Sequence, residues 1–275
     1  MEKIVVLGTG NALALDCYNT CFLIKKEQER KYLLVDAGGG NQILKLLRDK
    51  NIELFQINDI FVSDSHTEHI FGVIWLIRII TDNILKGKYN DNLNIYCHAE
   101  LAEKIKEVSY LTLPKKCTSL FMDRINFVIV EDGQEKEIMN EKIVFFDVHS
   151  EKEKQFAFKI LQKNEENITF LGEGTFNPMC EKYVENTHFL ISEAFCMYKD
   201  RDIYRPYENH HSTARDAAEI ANKFEVQNLI LLNTETDDLE NRKRKYTEEA
   251  EEYFNGNVYV PDDLEEIVLK EEIDF

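Results

Sequence analysis

Between Ser63 and Gly72 the chain reads Ser-Asp-Ser-His-Thr-Glu-His-Ile-Phe-Gly. Asp64, His66, Glu68 and His69 put two imidazoles and two carboxylates within six residues, after a short apolar run and at the mouth of a longer one. Carboxylates packed so tightly repel one another unless a cation sits among them, and imidazole nitrogen with carboxylate oxygen is a donor set that divalent metals take. The competing reading is a polar turn capping the N-terminus of the next helix, and on residue types alone the two stand level. Tyr204, Arg205, Tyr207 and His210 offer rings and a guanidinium to the base and phosphate of a nucleotide, against the simpler reading of a mixed surface loop. His98 and His188 flank strands without a partner at motif spacing and read as structural.

The elements that must position these residues alternate between strands and helices. Lys3–Leu7, Thr20–Lys25 and Lys31–Val35 are strand-like, with a Gly-Thr-Gly turn at Gly8 and a glycine turn at Asp36–Gly40. Ile43, Leu46 and Leu47 have helical spacing. Asp59–Val62 is a short strand that delivers the polar cluster to an apolar helix over Ile70–Ile80, on which Trp75 is expected in the core. Leu93–Cys97 reads as a strand, Leu101–Val108 as a helix and Ile125–Val148 as a hairpin. Phe156–Leu161, Ile168–Leu171 and Phe189–Ile191 follow as strands. Thr213–Phe224 is an amphipathic helix capped by Ser212 or Thr213, and Asn228–Leu232 is a buried strand. Arg242–Phe254 is a helix whose run Arg242-Lys243-Arg244-Lys245 reads as a solvated face paired with Glu248 and Glu249. Val258–Val260 and Glu266–Leu269 close the chain as strands. Strands in runs with helices between them predict an α/β fold, an αββα sandwich of two mixed β-sheets flanked by helices, as a single domain over 1–275.

Composition is that of a globular chain, with 44% hydrophobic and 31% charged residues. Its 33 basic residues against 51 acidic ones give a net charge of −18, which suits solubility and opposes a polyphosphate partner. No run reaches the roughly 18–20 apolar residues of a membrane span, and Met1–Gly10 lacks the pattern of a signal peptide. The expectation is a cytoplasmic protein with no membrane partner. Cys17, Cys21, Cys97, Cys117, Cys180 and Cys196 form no Cys-x-x-Cys pair and read as reduced, buried thiols.

Ser63–Gly72 resembles the metal-binding turn of the metallo-β-lactamase fold, His-x-His-x-Asp-His-x-x-Gly, and the likeness continues along nearly the whole chain to the ribonuclease Z branch. Gly8-Thr9-Gly10-Asn11-Ala12 resembles that branch's opening turn and Asp36-Ala37-Gly38-Gly39 its second turn. His149 resembles the third metal motif, Gly172-Glu173-Gly174-Thr175 the Gly-Asp-Thr motif, and Ser192-Glu193-Ala194-Phe195 the His-Glu-Ala-Thr motif. His211-Ser212-Thr213 matches His-Ser-Thr, and Leu229–Asn233 the strand that ends in the last metal histidine. The resemblance implies one metal at Asp64, His66 and His149, and a second at Glu68, His69 and the amide oxygen of Asn233, with Glu173 able to bridge. Asp64, Glu68, Glu173 and Asn233 depart from the family's own residues, and all four replacements bear oxygen donors. That shift favours manganese, iron or magnesium over zinc and makes the Asn233 position the weaker site.

Two divalent ions, zinc or manganese, set about 3.5–4 Å apart suit phosphodiester hydrolysis. The resemblance implies Glu193 and His211 as an acid–base pair apart from the metals, with Glu68 a further catalytic carboxylate. His211 also lies where it belongs to the cap of the next helix, and the two roles are compatible. The branch's tRNA-gripping arm is not found between the motifs, and the net charge of −18 speaks against tRNA. Length and layout resemble the short, arm-less members, the phage anti-Pycsar enzymes that hydrolyse cyclic mononucleotides among them. The expected function is a metal-dependent phosphodiesterase acting on a small nucleotide. The alternatives are a degenerate member that binds a ligand or partner, a tRNA 3′-processing endoribonuclease, and an ester- or lactone-cleaving hydrolase. The branch commonly forms two-fold homodimers, for which the Ile70–Ile80 helix offers an apolar surface.

Overall fold

The computed structural model describes residues 1–26 and 30–269. In chain order the strands are β1 (Lys3–Gly8), β2 (Cys21–Lys25), β3 (Tyr32–Val35), β4 (Ile57–Phe61), β5 (Leu93–Cys97), β6 (Ile125–Ile129), β7 (Glu135–Ile138), β8 (Glu141–Asp147), β9 (Phe156–Leu161), β10 (Ile168–Phe170), β11 (Phe189–Glu193), β12 (Asn228–Leu232), β13 (Asn257–Tyr259) and β14 (Glu266–Val268). The α-helices are α1 (Gln42–Asp49), α2 (Thr67–Leu85), α3 (Ala99–Thr112), α4 (Lys115–Thr118), α5 (Glu181–Val184), α6 (Arg201–Tyr204), α7 (Ala214–Lys223) and α8 (Leu239–Glu251). Contacts gather them into two compact units, the first from Met1–Gly8, Tyr18–Val130 and the chain from Asp263 on, the second from Thr9–Cys17 and Glu131–Asp262.

Each unit is built on one seven-stranded mixed sheet, so the expected class of two mixed sheets with helices is the one observed. The first sheet runs β14-β1-β2-β3-β4-β5-β6. Its strands are antiparallel from β14 to β3 and parallel from β3 to β6. The second runs β13-β12-β11-β10-β9-β8-β7, parallel from β13 to β10 and antiparallel from β10 to β7. Every residue of β3, β11 and β12 is buried, as expected of parallel strands covered on both faces, which is why their sequences run apolar instead of alternating.

This topology decides where the chemistry-bearing residues fall. In the first unit Asp36 follows β3, the Ser63–His66 turn follows β4 and His98 follows β5, so all lie at the C-terminal edge of the parallel strands. In the second unit β8 and β10 are both antiparallel to β9, so they run the same way as β11 and β12. His149, Glu173, Glu193 and Asn233 therefore come to one edge of that sheet, the edge where α/β folds place their ligands.

Helix α2 shows how packing seats the polar turn. Val73, Leu76, Ile77 and Ile80 fall on its inward stripe and are fully buried. Trp75 is not in the core as expected. It falls with Phe71 and Arg78 on the opposite stripe, 40% exposed, with the Arg78 guanidinium 5.9 Å from its ring centre. At Gly72 the helix meets the turn after β3: the Gly72 N–H donates to the Gly38 carbonyl at 2.8 Å. A Cβ on Gly72 would lie 1.8 Å from the Ala37 carbonyl oxygen.

Three other expectations are corrected. Ile125–Val148 is not one hairpin: β6 pairs in parallel with β5, and only β7 and β8 form the antiparallel pair. Arg244 meets Glu248 as expected, but Arg242 is not on the solvated face. It is 3% exposed, and its guanidinium donates to Thr9 Oγ1, Thr234 Oγ1, the Pro261 carbonyl and Asp262. All six cysteines are free thiols, but Cys17 is only half-buried. Burial pushes the Cys97 thiol up to about 12 and the Cys180 thiol to about 11, which makes both poor nucleophiles.

Because Gly72 leaves no room for a methyl group, Gly72→Ala should lower the unfolding free energy by about 2–3 kcal/mol through overpacking. A urea midpoint equal to that of the wild type would show that α2 stands further from the turn.

Candidate active site

In the first unit the site grows from Asp36, which follows β3 in the left-handed region (φ 53°) and is buried. Its carboxylate accepts the Ser63 N–H and hydroxyl, both at 2.9 Å, and so ties the β3 turn to the end of β4. Its Oδ2 lies 3.2 Å from His69 Nδ1. With Nδ1 facing Asp36, the His69 ring turns Nε2 toward Asp64, 3.8 Å from Oδ2. Asp64 Oδ1 in turn accepts the His66 N–H at 2.8 Å and lies 3.0 Å from His66 Nδ1.

Asp64, His66 and His69 thus offer one donor atom each, all within 4.8 Å of one another. Burial alone would raise the Asp64 carboxyl, but His69 beside it and the hydrogen bonds from His66 outweigh that and hold it at about 2. A buried ionised carboxylate with two imidazoles, one of them backed by a second carboxylate, fits a divalent cation. Glu68 lies in the first turn of α2, half-buried, where its charge favours the helix N-terminus, and it accepts the Thr67 hydroxyl at 3.1 Å.

The second unit is organised by Glu193 at the end of β11, 2% exposed. Oε1 accepts Asn233 Nδ2 at 2.8 Å and faces His211 Nδ1 at 2.7 Å. Oε2 accepts the backbone N–H of Gly174 at 2.8 Å and of Ser212 at 3.0 Å. Four donors satisfy the buried carboxylate. The Nδ1–H of His211 belongs to Glu193, Phe195 stacks on the imidazole at 4.4 Å and 15°, and Nε2 faces Lys152 Nζ at 3.1 Å. Thr213, not Ser212, caps α7 through a capping box with Asp216. That releases the Ser212 hydroxyl to donate to the Gly174 carbonyl.

His149 follows β8 in the left-handed region (φ 55°), held by its N–H on Asp147 Oδ1 at 2.7 Å. With Glu173, Glu151, Thr175 and His210 it lines a cavity of about 190 Å³. Asn233, also left-handed, is buried, and its amide nitrogen is engaged by Glu193. Of the four loop residues read as a nucleotide contact, His210 reaches that cavity, its Nδ1 3.4 Å from Glu151. Tyr207 instead donates to Asp216 and lines a separate cavity of about 350 Å³, with burial pushing its phenol up to about 12. Tyr204 donates to Asp237 at 2.8 Å, and Arg205 pairs with Glu208 at 3.6 Å; neither lines those two cavities. His98 caps α3, its Nδ1 accepting the Leu101 N–H, which is the structural part expected of it.

The family described as anti-Pycsar protein Apyc1 matches residues 2–249 of the chain. The chain belongs to that family. Among curated proteins it is similar to ribonuclease Z of Parabacteroides distasonis, 24% identical over 92% of this chain and 94% of the relative. Ribonuclease Z of Clostridium beijerinckii is also 24% identical, over 94% and 95%. Among solved structures the metallo-β-lactamase fold protein YhfI of Bacillus subtilis superposes with a TM-score of 0.76 at 19% identity, covering 97% of this chain and 98% of that one. The short form of human tRNase Z gives 0.75 at 17% identity, covering 98% and 99%. Zinc-bound PqqB from Methylobacterium extorquens gives 0.73 at 9% identity, covering 96% and 99%. The fold is that of the metallo-β-lactamases, and the family is related to ribonuclease Z.

Three contributors escaped the sequence. Asp36 stands in the sequence as part of a glycine turn, and only its contact with His69 gives it an orienting part. Phe195 stands in the Glu193 motif without any signal of a stack. Lys152, three residues past His149, lies with Nζ 3.1 Å from His211 Nε2, and a charged loop gives no hint of that pairing.

Glu193→Gln puts an amide NH2 where donors already point. The variant should lose about 2 kcal/mol of stability to an unmatched buried donor, read by urea unfolding. The His211 ring should pass from one tautomer to a mixture in long-range ¹H–¹⁵N spectra. An unchanged ring signal would assign its orientation to Phe195 instead.

Proposed function

We propose that this chain is a metal-dependent phosphodiesterase acting on a small nucleotide, cyclic mononucleotides included. The observation that carries the reading is the Glu193–His211 pair: a buried carboxylate satisfied by four donors, an imidazole oriented by it through Nδ1, and Nε2 left outside that network beside Lys152. An imidazole so held suits proton donation to the oxygen that leaves when a phosphodiester is cleaved. Glu193 keeps the ring's tautomer and steadies the charge on it.

Asp64, His66 and His69 are the residues we assign to hold a metal, with His149, Glu173, Glu68 and Asn233 as the further donors the family pattern implies. A divalent ion there would supply Lewis-acid polarisation of a phosphoryl oxygen. Asp36 holds the His69 ring so that Nε2 serves the ligand group. The oxygen-rich set favours manganese over zinc. The net charge of −18 favours a small substrate over tRNA. A homodimer joined through the Ile70–Ile80 helix remains part of this proposal, with Phe71 and Trp75 exposed on that helix.

A second reading, a cleft that binds without cleaving, draws on Asn233, which stands where the family has its last ligand and whose amide nitrogen is committed to Glu193.

The test is hydrolysis of bis(p-nitrophenyl) phosphate and of cyclic mononucleotides with added manganese. His211→Ala should lower kcat by about 10²–10⁴ with metal content unchanged, as loss of a general acid does. His66→Ala should lose the metal itself, read by plasma mass spectrometry after incubation with manganese. Metal-loaded wild type that cleaves neither substrate would favour the binding-only reading. Cleavage of p-nitrophenyl esters in place of phosphodiesters would assign a different hydrolase chemistry.

A further inference from the structure

We propose that Lys152 binds a non-bridging phosphoryl oxygen beside His211, supplying a fixed positive charge while the Nε2–H of His211 is kept for the leaving oxygen, so that the two side chains form one cradle for the phosphate. This rests on the phosphodiesterase reading and names the group on this chain that meets the phosphate. The geometry starts from His211, whose direction is fixed by Glu193 on Nδ1 and by Phe195 on its face. Nε2 has therefore one place to point, and Lys152 Nζ is there, 3.1 Å away.

A lysine ammonium carries three N–H donors. One serves Nε2 while the ring is neutral, and two are left for an incoming oxygen. Once the ring carries its second proton, ammonium and imidazolium are two donors at 3.1 Å that repel each other. A phosphodiester that sets a non-bridging oxygen on the ammonium and its leaving oxygen on Nε2–H turns that repulsion into two charge-assisted hydrogen bonds. The pair is thus arranged for an anion at the moment His211 is loaded to give up a proton.

The surroundings favour such a cation. The chain carries a net charge of −18, and the cavity beside the pair is lined by Glu151 and Glu173. A phosphodiester monoanion approaching that wall meets like charge unless a cation offsets it. Lys152 sits on the loop that follows His149, and its neighbours Ser150 and Glu151 line the same cavity. Glu151 Oε2 faces His210 Nδ1 at 3.4 Å. Both contacts fasten this loop over the His210–His211 segment, so the ammonium is placed by the backbone as well as by its own stem.

Lys152 is exposed, so its replacement leaves the core intact. Inorganic phosphate is the probe, titrated calorimetrically into the full-length manganese-loaded protein. Lys152→Gln should weaken phosphate binding about tenfold and raise KM for bis(p-nitrophenyl) phosphate by a similar factor, at an unchanged melting temperature. Lys152→Arg should restore both to within about threefold, since the guanidinium keeps charge and donors. Equal phosphate affinity in wild type and Lys152→Gln, or failure of the arginine to rescue, overturns the proposal. If phosphate binding depends on Lys152 while no phosphodiester is turned over, the cradle stands and the phosphodiesterase reading falls. If turnover is intact and neither phosphate affinity nor KM responds to Lys152, the reading stands and the cradle falls.

Discussion

The second unit depends on the solvation of one anion. A carboxylate taken out of water at the end of β11 is tolerable only when its lone pairs are filled, and the donors that fill them come from three other places in the chain. Gly174 follows β10, Asn233 follows β12, and His211 with Ser212 leads into α7. Moving any of these loops uncovers charge in an apolar setting, so Glu193 fixes their mutual geometry more firmly than apolar contact would. The strained backbone nearby fits that account. His149, His210 and Asn233 all adopt left-handed conformations, which cost energy in residues other than glycine and persist where the surroundings over-determine them.

The first unit repeats the device with a different outcome. Asp36, itself pinned by Ser63, faces the Nδ1 of His69 much as Glu193 faces the Nδ1 of His211. In both, a carboxylate at the C-terminal end of a parallel strand selects which imidazole nitrogen is presented. Burial separates them. The His69 side chain is 1% exposed and suits a ligand that never exchanges with water, whereas that of His211 is 18% exposed and suits a ring that trades protons with a bound molecule.

The sequence made the β4–α2 turn legible because its ligand-type residues are contiguous and follow an apolar strand. Glu193 and His211 lie far apart in the chain, so no spacing rule pairs them, and only the family resemblance brought them forward. The two mixed sheets followed from the alternation of strands and helices. What stayed hidden depends on side-chain direction. Trp75 sits among Ile74 and Leu76 in the sequence, yet a turn of about 100° per residue sends it outward. Arg242 opens a basic run that reads as solvated, and nothing short of tertiary contact shows it buried among hydroxyls and a carbonyl. Ile125–Ile129 has the pattern of a hairpin arm, and its parallel partner β5 is chosen by topology alone.

Arg242 also has a consequence for how the chain folds. Its guanidinium joins Thr9, 233 positions earlier, to Thr234 and to Pro261, while in the other unit β1 pairs with β14 through Lys3 and Val268. Each unit is therefore closed by residues well over two hundred positions apart in the chain. Closing loops of that length comes late in folding, so local pairs such as β1 with β2 form before either unit is finished. A chain assembled this way leaves sheet edges open until its most distant contacts are made.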